Sequence, residues 1–137
     1  MLFRSMPEPQ YNLAIGSGSH GYQTGMMVIE LEKVLLAEKP DLVVLYGDTN
    51  STLSGAVAAS KLKIPIAHVE AGLRNFDKTI PEEINRLVTD HLSSLLFAPT
   101  QTAIDNLKAE GLTAGVHFTG DVMYDYVLSL REIAAKH

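Results

Sequence analysis

The sequence predicts an α/β fold, a Rossmann-like open parallel sheet with helices packed on it. Three observations predict it. Short apolar runs alternate with stretches of helical period along the chain. Two of the runs, DLVVLYG (41–47) and IPIAHVE (64–70), are continuously apolar, as strands buried on both faces are. Gly, Pro and Asp punctuate the alternation.

The elements follow in order. Tyr11 to Ile15 reads as a short strand, followed by a glycine- and serine-rich loop, GSGSHGYQTG (16–25). Thr24 to Glu38 reads as a helix, with Met27, Leu31, Val34 and Leu35 on one face. Pro40 and Asp41 end it and lead into DLVVLYG. An alanine-rich helix from Ser51 to Leu62 precedes IPIAHVE. The loop AGLRNFDKT (71–79) then leads to a helix from Pro81 to Leu92, whose apolar face is Ile84, Leu87, Val88 and His91 or Leu92. LLFAPT (95–100) is the next strand, and Thr100 caps a helix ending near Gly111. GVHFTG (115–120) is the last strand, and Val122 to Ala135 the last helix.

At 137 residues the chain is one domain, long enough to bury a core. With no cysteine it can form neither disulfides nor thiolate sites. A net charge of −5 without a basic stripe argues against nucleic acid as partner. No run approaches the ~18 apolar residues of a membrane span. The opening MLFRSMPEPQ lacks the apolar stretch of a signal peptide, and a cytoplasmic location fits.

In open α/β sheets, ligands bind beyond the carboxyl ends of the strands. DLVVLYG delivers Asp48 there. IPIAHVE delivers Glu70, with His68 two residues earlier on the same face. On neighbouring strands, ~4.8 Å apart, both acids would share one crevice. Glu82 and Glu83 join them from the start of the next helix. Each residue has a structural alternative. Asp48 could cap the following helix. Glu82 could complete a capping box with Thr79, or pair with Arg86 at i,i+4. His68 could be a hydrogen-bonded core histidine. Glu70, after an apolar strand, needs a partner or a ligand. A metal site built from His68, Glu70 and Asp48 has only unspecific spacing behind it, so none is assigned. The glycine-rich loop matches neither phosphate-binding fingerprint, although Gln23 and Thr24 lie where a helix N-terminus would face a ligand.

GDTNST (47–52), HVEAGLR (68–74), PEEINR (81–86), FAPT (97–100) and TGD (119–121) occur in this order and at these spacings. The set resembles the non-hydrolysing UDP-N-acetylglucosamine 2-epimerases, and the resemblance runs from about Tyr11 onward. It implies part of the N-terminal domain of a glycosyltransferase-B type fold. It also implies interconversion of UDP-N-acetylglucosamine and UDP-N-acetylmannosamine by elimination and re-addition of UDP, with no metal and no cofactor. The family's acids map onto Asp48, Glu70 and Glu82. The resemblance also places His68, Arg74 and Arg86 among the substrate- or effector-binding residues. Arg86 would position an activating UDP-sugar or Glu82. Gln23 and Thr24 match the family's QT pair at that effector site, but Tyr22 stands where bacterial members carry a basic residue, which weakens the allosteric reading.

The family's opening GTRPE loop and its second domain, which holds most of the nucleotide and a catalytic histidine, have no counterpart in these residues. The stretch is therefore expected to be incomplete and inactive alone. In the family's sheet order, 3-2-1-4-5-6-7, two further strands separate Tyr11–Ile15 from Leu42–Tyr46. That gap predicts an open edge and homodimerisation or strand exchange. GSGSHGYQTG, YGDTNST and TGDVMYD equally resemble enzymes acting on UDP-2,3-diacetamido-2,3-dideoxyglucuronate. The remaining alternatives are a hydrolysing relative, a non-catalytic UDP-sugar-binding module and a metal-dependent hydrolase.

Overall fold

The computed structural model describes residues 7–134; residues 1–6 of the opening read above, and Ala135 at the end of the expected last helix, lie outside the described residues. Four parallel strands lie side by side in chain order: β1 (Val43–Tyr46), β2 (Ile66–Val69), β3 (Leu95–Ala98) and β4 (Val116–Phe118). Five helices accompany them: α1 (His20–Glu38), α2 (Asn50–Lys61), α3 (Pro81–Leu92), α4 (Gln101–Ala109) and α5 (Val122–Ala134). The α/β class and the parallel sheet are as the alternation of patterns predicts. Register pairs Tyr46 with Val69 and Val69 with Phe97, so the carboxyl ends of β1, β2 and β3 lie level.

Two apolar clusters hold the sheet. Leu35, Ala56, Ala58, Ala59 and Ile66 form one, and Ala71, Leu96, Ala98, Ala103 and Leu107 the other. The alanines of α2 let it approach β1 closely. A β-carbon at Gly55 would come within 2.6 Å of Leu45 Cδ2. Between the clusters lies a buried polar group: His68, Glu83, Asn85, Thr89 and Asp90.

Four sequence expectations need correction. Tyr11 to Ile15 is not a strand. It has no ladder partner among the described residues, and Ala14 turns to φ 52°. Instead, residues 12–15 line an apolar hollow of about 330 Å³ with Met27, Leu31, Leu35 and Val43. Helix α1 starts at His20, four residues earlier than expected, because Ser19 caps it by accepting from the Tyr22 amide at 3.4 Å. β1 is buried on one face only: Val43 and Leu45 pack on the first cluster, while Val44 and Tyr46 (66% exposed) face outward. Finally, α3 does not bury its expected apolar stripe. Its buried residues are Glu83, Asn85, Thr89 and Asp90, and Ile84 and Leu92 are exposed. Most of that polar face carries hydrogen bonds to the strand ends and the loop after β2.

Candidate active site

The site begins where β1 stops. Gly47, at φ 68°, turns the chain out of the strand while its amide extends the ladder to Val69 O at 3.2 Å. Asp48 follows. It does not cap α2; Thr49 occupies that position, without a side-chain capping bond. The Asp48 carboxylate is instead gripped by Arg86, whose Nε and Nη2 donate to Oδ2 at 2.9 and 2.6 Å. Asn85 Nδ2 donates to the Asp48 carbonyl at 2.8 Å. Arg86 also donates to Glu83 at 3.0 Å. Burial pulls the Arg86 guanidinium down, but its bonds to Asp48 and Glu83 outweigh that and leave it above its ordinary value.

One strand over, β2 ends at Val69 and Glu70 takes φ 74°, a left-handed conformation that costs an ordinary residue roughly 1–2 kcal/mol. Strain of this kind persists only where the surroundings over-determine it. Here they do. Ala71 N donates to Phe97 O at 3.1 Å, Gly72 N to Asp90 Oδ2 at 3.0 Å, and Asn106 Nδ2 to Gly72 O at 3.0 Å. The half-buried Glu70 carboxylate itself has no hydrogen-bond partner among the described residues.

The two glutamates that open α3 do different work. Glu83 is 1% exposed and accepts from Asn75 N (3.2 Å), Phe76 N (3.0 Å) and Arg86. Burial pushes its carboxyl up, but the two amides and the guanidinium prevail and hold it below the usual carboxylate range. Glu82 is exposed and makes no hydrogen bond among the described residues. The expected capping box does not form, because Thr79 turns its hydroxyl and amide to Asp77 Oδ1 at 2.7 and 2.9 Å and Ile80 takes the cap position. Nor does Arg86 pair with Glu82; it serves Asp48 and Glu83.

His68 and Arg74 face inward rather than toward open space. Each His68 ring nitrogen meets an oxygen: Nδ1 lies 2.6 Å from Asp90 Oδ1 and Nε2 2.8 Å from Gly47 O. This is the core-histidine alternative. Arg74 is 1% exposed along its side chain and donates to Asp90, Glu110 and the Leu73 carbonyl at 2.7–2.8 Å. As placed, both hold the turn that carries Glu70. Gln23 braces the loop before α1, donating to Gly16 O and accepting from Asn50 at 3.1 Å. Thr24 borders an open cleft of about 650 Å³ with His20, Asn50, Lys78, Ile84 and Asn85. This cleft adjoins the start of α3, whereas the apolar hollow beside residues 12–15 lies apart from the acids.

The structure thus brings Asp48 and Glu70 to level ends of adjacent strands, with Glu82 on the helix that clasps both. Among the described residues, no group of three His, Asp or Glu side chains could hold a metal ion, and no helix is long and apolar enough to cross a membrane. Sequence reasoning passed over Asn85, Asp90, Asn106 and Glu110 and gave Glu83 no task. The available signal was polar residues interrupting the stripe of α3.

A family model described as UDP-N-acetylglucosamine 2-epimerase matches residues 2–137. A UDP-N-acetylglucosamine 2-epimerase homolog of Methanococcus maripaludis is 61% identical over 96% of this chain and 37% of its own length. The UDP-2,3-diacetamido-2,3-dideoxy-D-glucuronate 2-epimerase of Pseudomonas aeruginosa is 57% identical over 90% of this chain and 36% of its own. The crystal structure of the Methanocaldococcus jannaschii UDP-GlcNAc 2-epimerase in complex with UDP-GlcNAc and UDP superposes with a TM-score of 0.92 at 59% identity, covering 96% of this chain and 37% of that one. The sheet is thus the one expected for a glycosyltransferase-B type protein. The chain spans little more than a third of the length of these relatives.

Proposed function

The chain belongs to the UDP-N-acetylglucosamine 2-epimerase family, and we propose that it supplies the acid-bearing half of the active site that epimerises UDP-N-acetylglucosamine at C2. The observation that carries the reading is the strained, unpartnered Glu70 one strand away from Asp48, in a stretch matching relatives of that name.

The chemistry asks for such a set. C2–H has no adjacent carbonyl and is not acidic enough for simple deprotonation. The C1–O bond to UDP must break before or with proton loss, through an oxocarbenium-like state. A carboxylate takes the C2 proton, leaving a 2-acetamidoglucal. UDP then re-adds at C1 while a proton reaches the opposite face of C2. Asp48, ion-paired to Arg86, is suited to hold negative charge beside the developing cation. Glu70 and Glu82, without protein partners, are suited to take and return protons. Inversion needs access to both faces, which two such groups provide. His68 and Arg74 position Glu70, and Gln23 and Thr24 line the approach beside α1.

A second domain would close over this edge and hold the diphosphate. The outward faces of β1 and α5, with Tyr46, Met123 and Tyr124 exposed, favour a homodimer, which light scattering at micromolar concentration tests. A nucleotide-sugar substrate suits a cytoplasmic location. The likeness to the Pseudomonas aeruginosa enzyme makes UDP-2,3-diacetamido-2,3-dideoxyglucuronate the second substrate to assay.

The test is a chimera in which this chain replaces the matched segment of the Methanocaldococcus jannaschii enzyme. Asp48→Asn, Glu70→Gln and Glu82→Gln should each lower turnover of UDP-N-acetylglucosamine by about 100-fold or more. Any one that leaves turnover within a few-fold of the parent removes that residue from the catalytic set.

A further inference from the structure

Three charged residues on α3 recur on the face turned toward the strand ends: Glu83 holds the loop at 75–76, Arg86 holds Asp48, and Asp90, one turn on, is completely buried. Asp90 is not at the sheet edge and touches no open space. Its two oxygens take donors from three places. Oδ1 meets His68 Nδ1 at 2.6 Å; Oδ2 takes Gly72 N at 3.0 Å and Arg74 Nη2 at 2.8 Å. These partners bracket Glu70 on both sides in sequence. Through His68 the network goes one step further, because the other ring nitrogen holds Gly47 O, the carbonyl immediately before Asp48.

We infer that Asp90 is a positioning residue that sets the spacing of the Asp48 and Glu70 carboxylates, with His68 as the link between them. This deepens the epimerase reading above and rests on it. The reason is geometric. Nothing grips the Glu70 side chain, so its place depends on its backbone, which sits in an unfavourable left-handed conformation. The bonds from residues 68, 72 and 74 that converge on Asp90 hold that backbone against relaxation. An acid that must meet C2 of a sugar within hydrogen-bond reach loses about 100-fold in rate for a misplacement of about 1 Å. A side chain that touches no substrate thereby controls the chemistry.

Two variants and two readouts test this. Asp90→Asn keeps the shape and replaces an acceptor oxygen by a donor. His68→Gln still reaches Gly47 O but no longer spans to Asp90, and keeps the proposal testable if the buried aspartate cannot be changed without unfolding. In the 137-residue chain, amide NMR shifts of Glu70 and Gly72 should move in both variants, and those of α5, which has no part in this network, should not. In the chimera with the Methanocaldococcus jannaschii enzyme, kcat should fall at least about tenfold while KM stays within about threefold. Unmoved Glu70 and Gly72 amides, or a loss of thermal stability with kcat unchanged in the folded variant, would overturn the inference. A parent chimera that folds and binds UDP-N-acetylglucosamine without turning it over would instead defeat the epimerase reading. The amide shifts would still decide whether Asp90 holds the turn.

Discussion

Gly72→Ala should be far more damaging than one added methyl suggests. Gly72 lies at φ 80°, where a side chain costs roughly 1–2 kcal/mol. Its β-carbon would also sit 2.3 Å from the Ala103 carbonyl oxygen and 2.9 Å from Leu107 Cγ. Ordinary contact begins near 3.4 Å, so α4 must retreat by about 1 Å from the turn, and such overpacking costs about 1–3 kcal/mol. The two terms sum to about 2–5 kcal/mol, a large share of the 5–15 kcal/mol that stabilises a typical domain. At roughly 4 °C per kcal/mol for a chain of this size, Tm should fall by about 8–20 °C. Urea denaturation followed by far-UV circular dichroism gives the free energy directly. Gly55→Ala is the matched control. Its β-carbon meets only the flexible end of Leu45, and the helix gains about 1 kcal/mol of propensity, so the net change should stay within about 1 kcal/mol. If Gly72→Ala costs less than about 0.5 kcal/mol, the turn is not clamped between Asp90 and α4 as described.

Two further outcomes follow from the same geometry. Glu83 titrates below its unfolded value, so its contribution is present above the unfolded glutamate pKa of about 4.3 and is lost as pH falls through the lower folded value. Glu83→Gln should therefore cost about 1–3 kcal/mol at pH 7 and lose less stability than the parent between pH 5 and about pH 3; parallel pH profiles of the urea midpoint would refute this. Glu70→Gly relieves a left-handed non-glycine residue, so stability should hold or rise by up to about 1 kcal/mol while the chimera loses turnover. A loss above 1 kcal/mol in the same urea experiment would show that the Glu70 side chain has a structural task.

The class of fold was legible because strand-forming runs and helical stripes are local patterns. The short stretch Tyr11 to Ile15 was misread for a non-local reason: a strand exists only if a neighbour completes its ladder, and no periodicity records the neighbour. The one-sided burial of β1 has the same origin, since DLVVLYG carries no mark of which face a helix will cover. The acids at the strand ends could be located by the rule for open sheets, and Glu70 stood out because an apolar strand ending in a carboxylate needs a reason. What could not be read was the division of labour between adjacent residues. Glu82 and Glu83 are chemically identical, and only the helix phase decides that one is buried under the loop at 75–76 and the other points out. His68 and Arg74 sit inside a motif shared with relatives, which made them look like ligand contacts. Their partners, Asp90 and Glu110, lie 22 and 36 residues further along and pair with them only in three dimensions.

Whether these residues carry the acid half of a 2-epimerase site is decided by following the chimera with UDP-N-acetylglucosamine in D₂O by proton NMR. The expected result is loss of the C2 proton signal together with appearance of UDP-N-acetylmannosamine. A chimera that is folded and binds the nucleotide sugar, yet leaves the C2 proton in place over a day while the parent enzyme exchanges it, would contradict it.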